Sequence, residues 1–307
     1  MSERPSLISH GINLHLGLPL ALLQALRPKQ WTKNLLVFVG LVFAYRLGNE
    51  RTVALTLGAF AVFCALSSAG YLWNDLRDLT ADRLHPTKKL RPIASGRVPT
   101  GLAAGSALVL SAAGLAGAFA LRPSFGLVAL GYLLLTTSYS VWLKHLVLID
   151  IFAISAGFVL RAVGGAVVIG VPASPWLYVC TVLGSLLLAL GKRRHELVLL
   201  DDDAAGHRKN LGQYTLELVD QLILIVASAT IMAYSLYTFS AETLPPDHSM
   251  MLTIPLVLYG IFRYLYLLRI KRQGGAPEDM LLVDPGLLGT VITWALLTLA
   301  ILYLAPR

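Results

Sequence analysis

The chain has 307 residues, 56% of them hydrophobic and only 14% charged, with a net charge of +8 and a mean hydropathy of +0.69. Those values exclude an ordinary soluble domain and describe an all-α, polytopic membrane protein. The two cysteines, Cys64 and Cys180, both lie in apolar runs and are too few for a disulfide framework or a thiolate metal site, so they read as packing residues.

In chain order, the stretch LHLGLPLALLQAL lacks a basic leader and a small-residue cleavage site and reads as an interfacial helix. Residues 1–33 are therefore expected to form an N-terminal tail and interfacial helix, and 34–307 a single transmembrane catalytic domain. About nine apolar segments follow, at 34–45, 52–73, 101–121, 125–143, 147–171, 176–190, 218–239, 251–268 and 287–304. The first is short for a span. Lys and Arg are retained on the cytoplasmic side of a membrane. With the N-terminus inside, the outer segments hold only Arg46, Arg51, Arg122 and Arg307, and every other Lys and Arg outside the membrane is internal. The expected location is thus the cell (inner) membrane, with the N-terminus and the long loops cytoplasmic. This asymmetry explains the positive charge without nucleic acid as a partner.

Two long inner loops mix acids with bases, at 76–99 and 191–214. Each follows the second helix of a four-helix unit, a weak internal repeat. In the first, NDLRDLTADRLHPTKKLRP begins at Asn74, directly after an uncharged run. If the second predicted helix continues past Trp73, Asp75, Asp78 and Asp82 fall within an arc of roughly 60°, and Asn74 about 40° beyond Asp78. Three carboxylates on one face at the membrane rim resist joint ionisation unless a cation joins them. Hard oxygen donors with an Asn carbonyl suit Mg²⁺, which shares its shell with substrate phosphates. A solvated helix end held by Arg77, Arg83 and Lys88 is the plainer alternative.

These residues carry a resemblance. NDLRDLTADRLHPTKKLRPIASG resembles the first aspartate-rich motif of the UbiA superfamily of intramembrane prenyltransferases, and the nine-span plan agrees with it. LRPKQWTKNLLVF, YSVWLKHLVLIDIFAISAGFVLRAVGG, GKRRHEL, HRKNLGQYT and PLVLYGIFRYLYL narrow the likeness to its decaprenyl-phosphate phosphoribosyltransferase branch. Members of that branch move 5-phosphoribose from phosphoribosyl pyrophosphate to a polyprenyl phosphate. The second loop lacks the DxxxD that prenyl-donor members of the superfamily use for a second metal, and carries Lys192, Arg193, Arg194, Arg208 and Lys209 instead. Arginine is well matched to phosphate. The resemblance therefore implies one Mg²⁺–pyrophosphate site and cations for two further phosphates.

Deeper in the membrane, Asp150 and Arg161 share a helix face about 16 Å apart. A mid-membrane Arg faces a polar cavity or a partner, so Arg161 is read as lining the site, with an interhelical ion pair as the alternative. Lys144 reads either as a snorkelling anchor or as a phosphate contact. Taken with the resemblance, Asp75, Asp78 and Asp82 are the expected catalytic residues, with Asn74 completing the metal set. The expected substrate contacts are Lys33, Asn74, Lys88, Arg91, Tyr139, Lys144, Arg161, Lys192, Arg193, Glu196 and Arg208. The partners implied are phosphoribosyl pyrophosphate, a polyprenyl phosphate and the bilayer, with homo-oligomers left open. Two other functions stay open at this point: transfer of an isoprenyl chain to an aromatic acceptor, and transport. A transporter places its ionisable groups at the midplane of broken helices, whereas here the charge gathers at one surface.

Overall fold

The computed structural model describes residues 9–202, 213–271, 280 and 283–304. Among them every regular element is helical, and eight helices are long and apolar enough to cross a membrane. The first helix, α1 (Ser9–Ala25), lays Ala21 and Ala25 against Leu72, Ile93 and Val98. The crossing helices are α3 (Glu50–Arg77), α5 (Thr100–Leu121), α6 (Pro123–Val141), α7 (Ile149–Ile169), α8 (Pro175–Asp202), α9 (Leu216–Ser240), α10 (Ile254–Arg269) and α11 (Pro285–Leu304). Between them lie two short helices, α2 (Val37–Phe43) and α4 (Leu79–Leu84).

Local signals set the ends. Asn49 and Thr215 accept the N–H of Thr52 and Leu218, capping α3 and α9. Pro123, Pro175 and Pro285 stand first in their helices, where the missing N–H costs nothing. α7 stops at Gly170, whose φ of 76° is comfortable only for glycine.

The predicted segment 34–45 takes an unexpected form. Its α-helical part is only α2, and the preceding Pro28–Leu36 is a 3-10 helix. Arg27 at one end pairs with Asp75, while the Arg46 carbonyl at the other accepts the Thr52 hydroxyl. On α3 those anchors are 23 residues apart, or roughly 34 Å at about 1.5 Å per residue. The segment covers the same distance in 19 residues, or roughly 1.8 Å each, between the α and 3-10 rises. Among the described residues eight helices, not the expected nine, are long and apolar enough to cross, because this segment is divided between a 3-10 helix and the short α2.

The helices close into a ring. α3 packs on α5 and α6, α7 on α2, α6 and α8, α8 on α9, and α10 on α11. The ring shuts where Tyr303 of α11 donates to the Val42 carbonyl of α2. Three apolar clusters hold it. Phe63, Phe125 and Tyr132 join α3 to α6, Leu186, Leu190, Ile223 and Leu268 join α8 to α9 and α10, and Leu244, Met250 and Ile301 sit at the closure. Large apolar side chains such as Leu108, Leu127, Ile225, Phe262 and Leu296 stay exposed on the outside, where acyl chains replace water.

Candidate active site

α3 ends at Arg77. Asp78 is its C-cap, with φ −88° and ψ 7°, and α4 begins one residue later. The continuous helical face expected from Asn74 to Asp82 is therefore broken at Asp78, yet the loop returns Asp82 to the others. One guanidinium nitrogen of Arg91 lies 3.0 Å from Asp75 Oδ1 and 2.6 Å from Asp82 Oδ2. Arg27 donates to the same Asp75 oxygen at 2.5 Å. Asp75 is only 2% exposed, so these cations are what make its charge tolerable there. Asp78 faces Lys144, whose ammonium nitrogen sits 2.7 and 2.9 Å from its oxygens and 3.4 Å from Asn74 Oδ1. Lys144 is 4% exposed on the 3-10 turn Leu143–His145.

This acidic end opens on a cavity of about 1350 Å³ inside the ring, walled by the Pro28–Leu36 segment and by α2, α3, α6, α7, α8, α9 and α11. Lys33, Asn74, Arg91, Tyr139 and Lys192 line its polar end, whereas Tyr237, Leu288, Val291 and Trp294 line the apolar remainder. Arg161 projects into the middle. Its three nitrogens donate to Asn34 Oδ1 at 2.7 Å, the Gly157 carbonyl at 2.8 Å and the Tyr132 hydroxyl at 2.7 Å, and the guanidinium lies over the Tyr132 ring.

A second charged knot supports the floor. Asp150 (0% exposed) and Arg193 (1% exposed) pair at 2.8 Å. Arg193 also pairs with Glu196, three residues on, and reaches the Tyr139 hydroxyl. Tyr214 donates to Asp150 and accepts the N–H of Leu148, a residue held at φ 65°. Burial pushes the Tyr214 hydroxyl up to about 12, so it stays a donor at neutral pH.

A family model described as the UbiA prenyltransferase family matches residues 35–283. The chain belongs to the UbiA prenyltransferase family. It is 36% identical over 290 residues to a protein of Corynebacterium glutamicum named decaprenyl-phosphate phosphoribosyltransferase, covering 93% of this chain and 87% of that one. A Mycobacterium tuberculosis protein of the same name is 36% identical over 88% of this chain and 90% of its own length. A UbiA homolog from Archaeoglobus fulgidus, solved bound to GPP and Mg²⁺, superposes with a TM-score of 0.69 at 19% identity, over 92% of this chain and 99% of that one.

Within this UbiA fold the expected residues divide. Lys33, Asn74, Arg91, Tyr139, Arg161 and Lys192 line the cavity. Asp75, Asp78, Asp82 and Lys144 meet at its polar mouth through the ion pairs above. Lys88 stands in the same loop, on the turn Lys88–Leu90. Three readings need correction. Residues 191–202 are not a loop but the end of α8, so Arg193 and Glu196 pair at helical spacing, with Arg193 also held on Asp150. Arg194 turns to the opposite side, onto Asp220 and the Leu268 carbonyl. Lys144 is not a snorkelling anchor but is buried as the counter-ion of Asp78. Arg161 lines the cavity as expected, and among the described residues it makes no interhelical ion pair, since its donors go to Asn34, the Gly157 carbonyl and Tyr132. Arg208 and Lys209 lie outside the described residues.

Sequence reasoning passed over Arg27, Asn34, Tyr132 and Tyr214. Their partners are 48, 127, 29 and 64 residues away, and no local pattern encodes such pairings. Asn74, Asp75, Asp78 and Asp82 offer only hard oxygens at one mouth, which fits Mg²⁺. Among the described residues no three acidic, His or Cys side chains converge on one point, because Arg91 and Lys144 stand between them.

Proposed function

We infer that this protein transfers 5-phosphoribose from phosphoribosyl pyrophosphate to a polyprenyl phosphate, decaprenyl phosphate being the instance its relatives' names suggest, and releases pyrophosphate at the cytoplasmic face. The observation that carries this reading is the 36% identity to a decaprenyl-phosphate phosphoribosyltransferase along 93% of the chain. The site is consistent with it: an acidic mouth interlaced with cations, opening on a largely apolar cavity within the membrane.

Asn74, Asp75, Asp78 and Asp82 would hold Mg²⁺, which when bound neutralises charge on the pyrophosphate leaving group. Lys33, Arg91 and Lys192 orient the phosphates at the mouth. The lipid phosphate oxygen attacks the anomeric carbon from the side opposite the pyrophosphate, and the bond from that carbon to the pyrophosphate oxygen breaks as the ribose takes on oxocarbenium character. The attacking oxygen is already anionic, so no general base is needed. Arg161, deeper in the cavity, keeps its guanidinium fixed by three acceptors and gives the interior one polar landmark.

The test is a side-by-side assay on the purified protein. With Mg²⁺, phosphoribosyl pyrophosphate and decaprenyl phosphate, pyrophosphate and a lipid-linked phosphoribose should appear, and EDTA should stop both. Transfer from an isoprenyl diphosphate to 4-hydroxybenzoate should be absent. The reverse outcome would overturn the donor assignment.

A further inference from the structure

Arg27 is the least expected member of the mouth. Its backbone sits at φ 55° and ψ 61°, a left-handed conformation uncommon outside glycine, and Pro28 follows it, which disfavours helical conformations still further. Such strain persists only where the surrounding structure imposes it. Here it begins the 3-10 crossing, with the Gln30 N–H bonded to the Arg27 carbonyl, and aims the side chain at the end of α3. The guanidinium lies 4.8 Å from the centre of the Tyr71 ring, pairs with Asp75 and forms part of the cavity wall.

Asp75 Oδ1 thus carries two guanidinium groups, but the two are not equally committed. Arg91 uses the same nitrogen for Asp82 at 2.6 Å and keeps that carboxylate if it loses Asp75. Among the described residues Arg27 pairs with no second carboxylate, and its side chain, like that of Arg91, is 27% exposed beside the cavity. A divalent ion arriving at Asp75 repels both guanidinium groups and can displace Arg27, which then needs a new anion. A metal-bound pyrophosphate in the same cavity provides one.

We propose that Arg27 is an exchangeable counter-ion: it holds Asp75 in the substrate-free protein, yields that carboxylate to the divalent metal, and moves to a phosphate oxygen of the donor. The proposal rests on the metal-dependent phosphoribosyl transfer inferred above and adds a consequence, since metal and donor bind with positive coupling through one side chain, and such coupling is reciprocal. Arg27 competes with the metal when alone and assists the metal–donor complex once it forms.

The two halves predict opposite signs. In purified, detergent-solubilised full-length protein without donor, Arg27→Gln should tighten Mn²⁺ binding, read by electron paramagnetic resonance, by about threefold or more, as befits loss of a partly exposed competing cation. At saturating Mn²⁺ the same variant should bind phosphoribosyl pyrophosphate about tenfold or more weakly by calorimetry. Arg27→Lys keeps the charge and should leave Mn²⁺ affinity near that of the wild type while still weakening the donor, because Lys lacks the planar fork. Unchanged or weaker Mn²⁺ binding in Arg27→Gln overturns the exchange, and unchanged donor affinity overturns the phosphate contact. Arg27→Lys matching Arg27→Gln on Mn²⁺ also counts against a charge mechanism. If wild-type protein binds no Mn²⁺ with or without phosphoribosyl pyrophosphate, the metal-dependent reading itself falls, and the exchange with it.

Discussion

Lys144 shows how closely charge is balanced at this site. At 4% exposure its ammonium is tolerable because Asp78 lies 2.7 Å away and Asn74 shares it. Removing Asp78 therefore does two things: it deletes oxygens of the proposed metal set and takes the carboxylate away from a buried cation. Asp78→Ala should abolish turnover and also lower thermal stability by about 1–3 kcal/mol, the cost of an unsatisfied buried group. Adding Lys144→Met to that variant should restore the melting temperature but not the activity, since an apolar side chain of similar length needs no counter-ion. Recovery of activity in the double variant would remove Asp78 from the catalytic set. Arg161 is different, because its acceptors are an amide, a carbonyl and a phenol, so its charge is dispersed among dipoles and a ring face rather than cancelled.

Among the elements, the crossing of α2 over α7 sets the shape of the cavity wall. Gly40 faces Ala166 there, and Gly165 faces Val37. A methyl at Gly165 would lie 2.0 Å from the Val37 carbonyl oxygen, and one at Gly40 2.9 Å from the Ala166 nitrogen, both against backbone that cannot swing away. Gly165→Ala should push the 3-10 crossing off α7 and cost about 1–3 kcal/mol, with reduced activity because Lys33 and Asn34 ride on that segment. Gly105 is the control. It lies in α5, where an added methyl would meet nothing within 4 Å, and Gly105→Ala should leave activity unchanged and gain up to about 1 kcal/mol from helix propensity. Thermal unfolding of both variants in detergent checks the pair, and equal stability would show that the close approach is dispensable. Between α10 and α11, Asp284 caps α11 by accepting the Leu287 N–H, and Arg263 of α10 holds its carboxyl below the usual range. That lowered value means the link between α10 and α11 is intact at neutral pH and is lost only as pH falls through it.

For the whole molecule, the ring makes one mouth polar and leaves the rest of the cavity largely apolar around Arg161, and orientation in the membrane decides which compartment supplies the phosphorylated donor. The basic loop carrying Lys88, Lys89 and Arg91 shares the mouth, whereas Arg51 lies at the other end of α3. By the retention of Lys and Arg on the inner side, single cysteines at these two ends should label oppositely in a Cys64→Ser, Cys180→Ser background. A membrane-impermeant maleimide should reach Arg51→Cys in intact cells and Lys89→Cys only after permeabilisation. Labelling of Lys89→Cys from outside would invert the proposed topology and move the reaction to the opposite face.

The all-helical class, the eight regular crossings and the acidic motif at the end of one helix were legible in the sequence alone, because hydropathy and helical period are local properties that need no partner. The same locality misled at 191–202, where a run of charges looked like a loop but continues α8, and at Asp78, where an assumed continuous helix in fact ends. The family likeness was equally legible, since the motifs that carry it are contiguous. What the tertiary structure alone decided is which charge answers which. Arg27 meets Asp75, Lys144 meets Asp78, Arg193 meets Asp150, and Arg161 turns to Asn34 and Tyr132. In a low-dielectric interior each buried charge must find a partner, and the nearest in space is set by how the helices close into a ring, not by distance along the chain.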